Sequence, residues 1–312
     1  MIAVTFHGAG GPEVMSVDER PDPVPLPSEV LVRATHAGLN PADVVQRAGH
    51  YPAPPGSPAD IPGLEVAGTV IACGDAVTGW RAGDRVFGLV GGGGLSDTVV
   101  VHERHLARVP DNLTDREAAA VPEAFITAHD AVFTRAGLTI GETLLVNGAS
   151  GGVGTAAVQL GVVAGARVLA NARSHRDELA EMGAEPCALS EARGVDVVLE
   201  LVGAANLPAS LEALALRGRV IVVGTGAGAD AEVSLRALMG RRASLMGTVL
   251  RARSMEEKAA AVQAFARTVV PHLAAGRVRP VIDRVFPVAE AAAAFDHLSA
   301  PGKLGKVLLE MA

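Results

Sequence analysis

A chain of 312 residues is too long for one hydrophobic core and suits two domains, and 49% hydrophobic against 20% charged residues is enough apolar material to fill both. Its 27 basic residues are outnumbered by 34 acidic ones, and the resulting net charge of −7 argues against a nucleic-acid partner, whose phosphates need a basic face. Cys73 and Cys187 stand far apart with no CxxC spacing, which excludes a disulfide scaffold and points to a reducing cytoplasm.

Residues 1–7 show neither a basic region nor a long apolar run, so no secretory signal is expected there. Residues 1–110 read as short strands separated by Gly and Pro. Residues 28–35 alternate as a half-buried strand does, and 66–71 and 98–102 are similar. Between them lie a proline-rich loop (Pro52, Pro54, Pro55, Pro58, Pro62) and four glycines at 91–94, which neither a helix nor a central strand accommodates. Regular turn signals of this kind predict a barrel-like β domain.

The rhythm changes at Thr114, where Thr114-x-x-Glu117 is a capping box opening an Ala-rich helix. Residues 143–147 form a short apolar run suited to a buried parallel strand, followed by a glycine-rich turn at 148–154 and a helix to about Ala164, ended by Gly165. The apolar stretch at 155–170 is interrupted by Gln159, Gly161, Gly165 and Arg167, and is no membrane span. Residues 167–171, 195–201 and 219–223 are further strands. Their alternation with helices predicts a doubly wound parallel sheet, and the fold class is α/β. Ser254-x-x-Glu257 opens another helix, with Val262, Phe265, Val269 and Leu273 on one face, kinked at Pro271 and ended by Gly276. The tail from Val281 holds a strand, an Ala-rich helix ending before Pro301 and a last strand at 306–309. The pattern alone leaves open whether it rejoins the first domain.

The turn Asn147-Gly148-Ala149-Ser150-Gly151-Gly152-Val153-Gly154 stands between a predicted strand and a predicted helix, with a second strand ending about twenty residues on. Glycines there let the backbone approach a pyrophosphate, and the helix start supplies free N–H groups and positive dipole. An ordinary flexible loop is the plain alternative, but glycines in such number weaken a helix start. An NAD site places an acid at the end of the second strand, to accept from the ribose 2′-hydroxyl. Here Asn171-Ala172-Arg173-Ser174-His175-Arg176 has no carboxylate until Asp177, while Arg173 suits a 2′-phosphate and Ser174 adds a hydrogen bond. The expected cofactor is NADPH.

Further residues carry a resemblance: Gly38-Leu39-Asn40-Pro41-Ala42-Asp43 with Arg47 and Tyr51, Pro62-Gly63-Leu64-Glu65-Val66-Ala67-Gly68, Gly83-Asp84-Arg85-Val86, Ala118-Ala119-Ala120-Val121-Pro122-Glu123-Ala124 with Thr127-Ala128, the glycine turn, and Gly305-Lys306-Val307. In order and spread over nearly the whole chain, they resemble the zinc-independent quinone oxidoreductases, the zeta-crystallin-like branch of the medium-chain dehydrogenase/reductase superfamily. The resemblance implies a discontinuous GroES-like β-barrel catalytic domain (residues 1–121 and 256–312) and a Rossmann NADPH-binding domain (122–255). It places Thr127 against the nicotinamide and puts Gly148, Ser150, Gly151, Gly152, Val153, Gly154, Arg173, Ser174, Gly224 and Lys306 on the cofactor. It also implies a homodimer through the sheet edge formed by a strand at 243–249.

Zinc-containing relatives have Cys where this chain has Asn40, and His beside Glu where it has Leu64-Glu65, so no metal is expected. His102-x-x-His105 reads as surface. Two departures from relatives stand out: too little chain between Gly183 and Val195 for the usual helix, and Leu95-Ser96-Asp97-Thr98 in place of a more aromatic stretch. The expected reaction is hydride transfer from NADPH to a quinone or similar conjugated carbonyl. Asn40 and Tyr51 are the donors to the developing oxyanion, and Asp43 orients its loop. The alternatives are an enoyl or enone reductase and an NADPH-binding structural or sensory protein with little turnover. No membrane partner is expected.

Overall fold

The computed structural model describes residues 1–311, which form two compact units, 1–126 with 250–311, and Thr127–Val249. In chain order the first unit begins with β1 (Ile2–Phe6), β2 (Met15–Glu19), β3 (Glu29–Arg33), β4 (His36–Gly38), α1 (Pro41–Arg47), β5 (Glu65–Cys73), β6 (Arg85–Leu89), β7 (Thr98–His102), β8 (Leu106–Arg108) and α2 (Asp115–Ala119). Its main sheet is antiparallel, ordered β7-β3-β5-β6-β8. The inward residues are mostly valines (Val30, Val32, Val66, Val70, Val86, Val99, Val101), whose branched side chains fit a pleated, buried face. The Thr114 capping box is present. The helix it opens stops at Ala119, because the residue before Pro122 is driven out of helical geometry, and α3 (Pro122–His129) starts afresh.

The second unit contains β9 (Thr143–Asn147), α4 (Gly152–Val163), β10 (Arg167–Asn171), α5 (Arg176–Glu181), β11 (Glu185–Pro186), β12 (Val195–Glu200), α6 (Leu207–Ala213), β13 (Leu214–Val222), α7 (Leu235–Arg241) and β14 (Ser244–Gly247). All six strands are parallel, in the order β11-β10-β9-β12-β13-β14. The order reverses between β9 and β12, the place where sheets of this kind bind ligands. Strand β13 starts at Leu214, ahead of the expected 219. Leu214 pairs with Val195 before a register shift, and left-handed Arg217 (φ 65°) lies within the shifted stretch. Between α5 and β12 there is only the two-residue β11 and a 3-10 turn at 189–191, so the abridged crossover is a feature of the fold.

The chain then returns through α8 (Met255–Thr268), α9 (Val270–Ala274), β15 (Ile282–Pro287), α10 (Ala291–Ser299) and β16 (Lys306–Glu310). What was expected as one kinked helix is two, with Val269 between them, since Pro271 has no N–H to continue the ladder. The tail does rejoin the first unit: β16 pairs antiparallel with β4 and parallel with β15. Phe6, Leu39, Phe295, Val307 and Leu309 close the second core of that unit. The first unit takes in 122–126 and 250–255, which the sequence reading gave to the other domain. The physical reasons are the Glu123 N–H, which donates to Glu65, and the Arg251 side chain, which bonds to Gln46, Tyr51 and Gly91.

Candidate active site

In the first unit the polar residues of the two family-like motifs converge. Asn40 is the N-cap of α1, and its backbone N–H donates to Asp43 (2.8 Å), whose other oxygen accepts from the Gly63 N–H (3.1 Å). Asp43 is fully buried with both oxygens engaged, so it holds the α1 turn against the 62–64 loop and has no face for a substrate. Burial pushes its carboxyl up to about 6, against the pull of the Asn40 N–H. The Asn40 side chain points inward too: Nδ2 donates to Glu65 Oε1 (2.9 Å), and Oδ1 accepts from Lys306 Nζ (2.6 Å).

Lys306, expected on the cofactor, sits at the bottom of this cluster. Its ammonium has three protons, and it donates to Leu39 O (2.8 Å), Asn40 Oδ1 (2.6 Å) and Glu65 Oε1 (2.6 Å). Glu65 Oε2 accepts the Glu123 N–H (2.8 Å). All three protons of Lys306 are thus donated within this cluster. The Asn40 amide gives one N–H to Glu65 and the other, at 3.4 Å, to the Gly38 carbonyl, which holds its side chain inward.

Tyr51 differs from these. It lies half-buried in the proline-rich loop, and its hydroxyl has no hydrogen-bond partner among the described residues. Its ring lies under the Arg251 guanidinium, 5.0 Å from centroid to Cζ. Burial first, then the Glu123 carboxylate, push the phenol up, and Arg251 pulls it back. Arg251 itself escaped the sequence reading: its partners are far off in the chain, and Leu250-Arg251-Ala252-Arg253 matches no motif. The expectation of a surface His pair fails for His105. Only 9% exposed, it bonds through Nε2 to the Met255 carbonyl (3.0 Å) at the start of α8, and burial pushes its imidazole down to about 4.

In the second unit the glycine turn leads from β9 into α4 with Gly151 as N-cap, and no side chain caps it. The N–H groups of Gly152, Val153 and Gly154 have no acceptor within the helix. Gly148 is left-handed (φ 83°), and a side chain at Gly154 would run into the Gly148 and Ala149 carbonyls. Ser150 is part-exposed in the same turn. A buried network holds the turn from below. Asn147 Nδ2 donates to Glu200 Oε2 (2.7 Å) and Ser210 Oγ (2.9 Å), and Asn171 Nδ2 donates to Asn147 Oδ1 (2.9 Å). Glu200 also accepts the N–H groups of Val202 and Gly203. Sequence reasoning missed this carboxylate, which looks like one more residue of an apolar strand.

Gly224 packs so close to the Leu201 carbonyl that no side chain fits there, and Thr127 is buried at the start of this unit. Past the end of β10, Ser174 is part-exposed, and Arg173 is exposed with no partner among the described residues. An uncapped helix start lined by glycines fits a dinucleotide pyrophosphate. The other group to test is zinc. Leu64 offers no ligand atom, Glu65 is paired with an ammonium, and no three His, Cys, Asp or Glu side chains converge among the described residues. These residues do not fit a zinc ion.

Two family models match this chain: the alcohol dehydrogenase GroES-like domain over residues 26–111, and a zinc-binding dehydrogenase over residues 164–309. The quinone oxidoreductase of Rattus norvegicus is 33% identical over 327 residues, covering 99% of this chain and 97% of the relative. Among solved structures, a quinone oxidoreductase of Pseudomonas syringae pv. Tomato DC3000 aligns with a TM-score of 0.88 at 28% identity, over 99% of each chain. The CurK enoyl reductase aligns at 0.86 and 26% identity, over 100% of this chain and 99% of that one. No helix among the described residues is long and apolar enough to cross a membrane. With both domain models in chain order and a third of its residues shared over its full length, the chain belongs to the quinone oxidoreductase family of the medium-chain dehydrogenase/reductase superfamily, oxidoreductases that bind a nicotinamide cofactor.

Proposed function

We propose that this oxidoreductase reduces quinones or similar conjugated carbonyls with NADPH, by direct hydride transfer and without a metal. The observation that carries the choice of cofactor is the end of β10. Asn171 is tied to Asn147, no carboxylate follows until Asp177, and Arg173 stands exposed with no partner among the described residues. A guanidinium there offers a forked, charge-assisted contact to a 2′-phosphate, and an acid would repel one. Gly151, Gly152, Val153 and Gly154 would hold the pyrophosphate, Thr127 and Gly224 would flank the nicotinamide, and Ser174 would assist at the ribose phosphate. The reduced nicotinamide supplies the hydride when bound.

As hydride arrives, negative charge grows on the acceptor oxygen. Of the two donors expected from the sequence, the Asn40 amide is committed to Glu65, and Tyr51 is left with an unpartnered hydroxyl. Tyr51 therefore donates to that oxygen and can pass it the proton, directly or through water. Asn40 and Asp43 act as positioning residues that fix α1. The test is NADPH and NADH oxidation at 340 nm against a panel of quinones and enones. Arg173→Ala is expected to weaken NADPH alone, by about 1.5–3 kcal/mol, and equal loss for both cofactors removes Arg173 from the 2′-phosphate. Turnover confined to enones favours carbon–carbon reduction, as in the enoyl reductase alternative. Tyr51→Phe is expected to lower kcat about tenfold with NADPH affinity kept, and a wild-type rate across the panel overturns the donor role.

For assembly, we propose a homodimer through β14. That strand ends the parallel sheet, with Ser244, Leu245 and Gly247 exposed, and Leu235 and Met239 of the neighbouring α7 are exposed as well. An apolar open edge is a liability that pairing across a two-fold axis removes. A monomer at micromolar concentration in sedimentation contradicts it.

A further inference from the structure

Arg251 is the second residue after the chain re-enters the first unit, and its side chain is only 5% exposed. Its guanidinium donates to three segments remote in sequence: Nε to the Gly91 carbonyl in the glycine run (2.8 Å), Nη1 to the Tyr51 carbonyl in the proline-rich loop (3.0 Å), and Nη2 to Gln46 Oε1 on α1 (2.7 Å). Gln46 in turn donates to the Ala59 carbonyl (3.3 Å), so both ends of the proline-rich loop are tied to one knot. No carboxylate pairs with this cation among the described residues. The Asp43 and Glu123 carboxylates act on it through space, and it acts in the same way on the Lys258 ammonium. A buried guanidinium is costly to desolvate, and neutral carbonyls alone compensate it in part. What it gains instead is the face of the Tyr51 ring, the only tyrosine in the chain.

We infer that Arg251 is a positioning residue for reduction: it fixes the plane and loop of Tyr51, and its unneutralised charge keeps the hydroxyl a good donor to an oxyanion. This rests on the donor role proposed for Tyr51 and goes beyond it by assigning what orients that group. A forked guanidinium suits the task where an ammonium does not, since three acceptors on three segments must be met at once while the plane stacks on a ring. Loss of the charge also leaves the phenol with burial and Glu123 alone, both of which push it up.

The experiment is a double-mutant cycle on kcat with NADPH and a quinone, using Arg251→Gln and Tyr51→Phe singly and together. Arg251→Gln is expected to lower kcat about tenfold in the parent protein and by less than about twofold in the Tyr51→Phe background, where there is no hydroxyl left to position. A second readout is the ionisation of the single tyrosine, followed at 295 nm after a rapid pH jump. Its midpoint should move up by roughly half a unit or more in Arg251→Gln and by less in Arg251→Lys, which keeps the charge. If Arg251→Gln fails to fold, Arg251→Lys carries the same cycle with a smaller expected drop of about threefold. An equal loss in both backgrounds with an unmoved phenol means that Arg251 only staples loops, and the inference falls while Tyr51 keeps its role. A Tyr51→Phe protein with the wild-type rate overturns both.

Discussion

In the first unit, Glu65 accepts from Asn40, Lys306 and the Glu123 backbone, Lys306 meets three acceptors with three protons, and Asp43 receives two backbone N–H groups. In the second, the N–H groups at the start of α4 have no acceptor within the helix and Arg173 has no partner among the described residues. The polar groups of the first region satisfy one another and serve as scaffold. In the second, the buried network around Glu200 is likewise closed, and the groups left open are those at the start of α4 and at Arg173. Two kinds of polar motif, equally conspicuous in sequence, differ in this respect. Tyr51, with a hydroxyl that has no hydrogen-bond partner among the described residues, stands apart from that network.

The largest effect should come from opening the closed network. Lys306→Met leaves a buried carboxylate with two neutral donors and no cation, and such a break costs about 3–5 kcal/mol. The double variant Lys306→Met with Glu65→Gln removes both charges and should recover most of that loss. Urea unfolding followed by far-UV circular dichroism measures both. Equal stability of the single and double variants contradicts a coupled pair.

Much of this was legible in the sequence, and the gaps have definite causes. Strands at 143–147, 167–171 and 98–102 were readable to the residue, because a strand bounded by Gly, Asn or His carries its own punctuation. The glycine turn was readable for the same reason: its chemistry is local. The partners of Lys306 are 241 to 267 residues away, and those of Arg251 are 160 to 205 away. No periodicity or spacing encodes contacts at that range. Asn40 was conspicuous in the sequence, but that Glu65 and Lys306 bond to it is not visible there, since both lie far off in the chain.

A second prediction uses pH to probe the same closed unit, where two buried groups titrate in opposite senses. Asp43 is raised to about 6, so its contribution is fully present below about 4 and is lost as pH rises through 6. His105 is lowered to about 4 by burial, so the folded state gains stability as pH rises from about 4 toward 6.5. Between pH 4 and 6 the two nearly offset each other. His105→Gln keeps a donor for the Met255 carbonyl and removes the titration. The stability difference between wild type and His105→Gln should then grow in favour of wild type by roughly 2–3 kcal/mol from pH 4 to pH 6.5. A pH-independent difference in urea midpoints places His105 in contact with water.

The smallest expected effect is the most discriminating test of the open region, and it compares two glycines of one turn. At Gly154 a methyl group would collide with the Gly148 and Ala149 carbonyls, so Gly154→Ala should lower stability by about 1–3 kcal/mol with no cofactor present. At Gly151 the backbone is extended (φ −76°, ψ 172°), a conformation any residue adopts, and the nearest atom to an added methyl is the Gly148 carbonyl oxygen at 3.6 Å, an ordinary contact. The protein by itself therefore has no use for glycine at 151, and Gly151→Ala should melt within about a degree of wild type. A ligand that comes close to the uncapped start of α4 does have a use for it. NADPH, followed by its fluorescence on titration, should bind Gly151→Ala about tenfold more weakly, about 1.4 kcal/mol. The same loss with NADH is expected, because the pyrophosphate is common to both and only Arg173 distinguishes them. If Gly151→Ala binds both dinucleotides as tightly as wild type, the open N–H groups of α4 are not where the phosphates lie, and the contrast between a closed and an open unit loses its functional meaning.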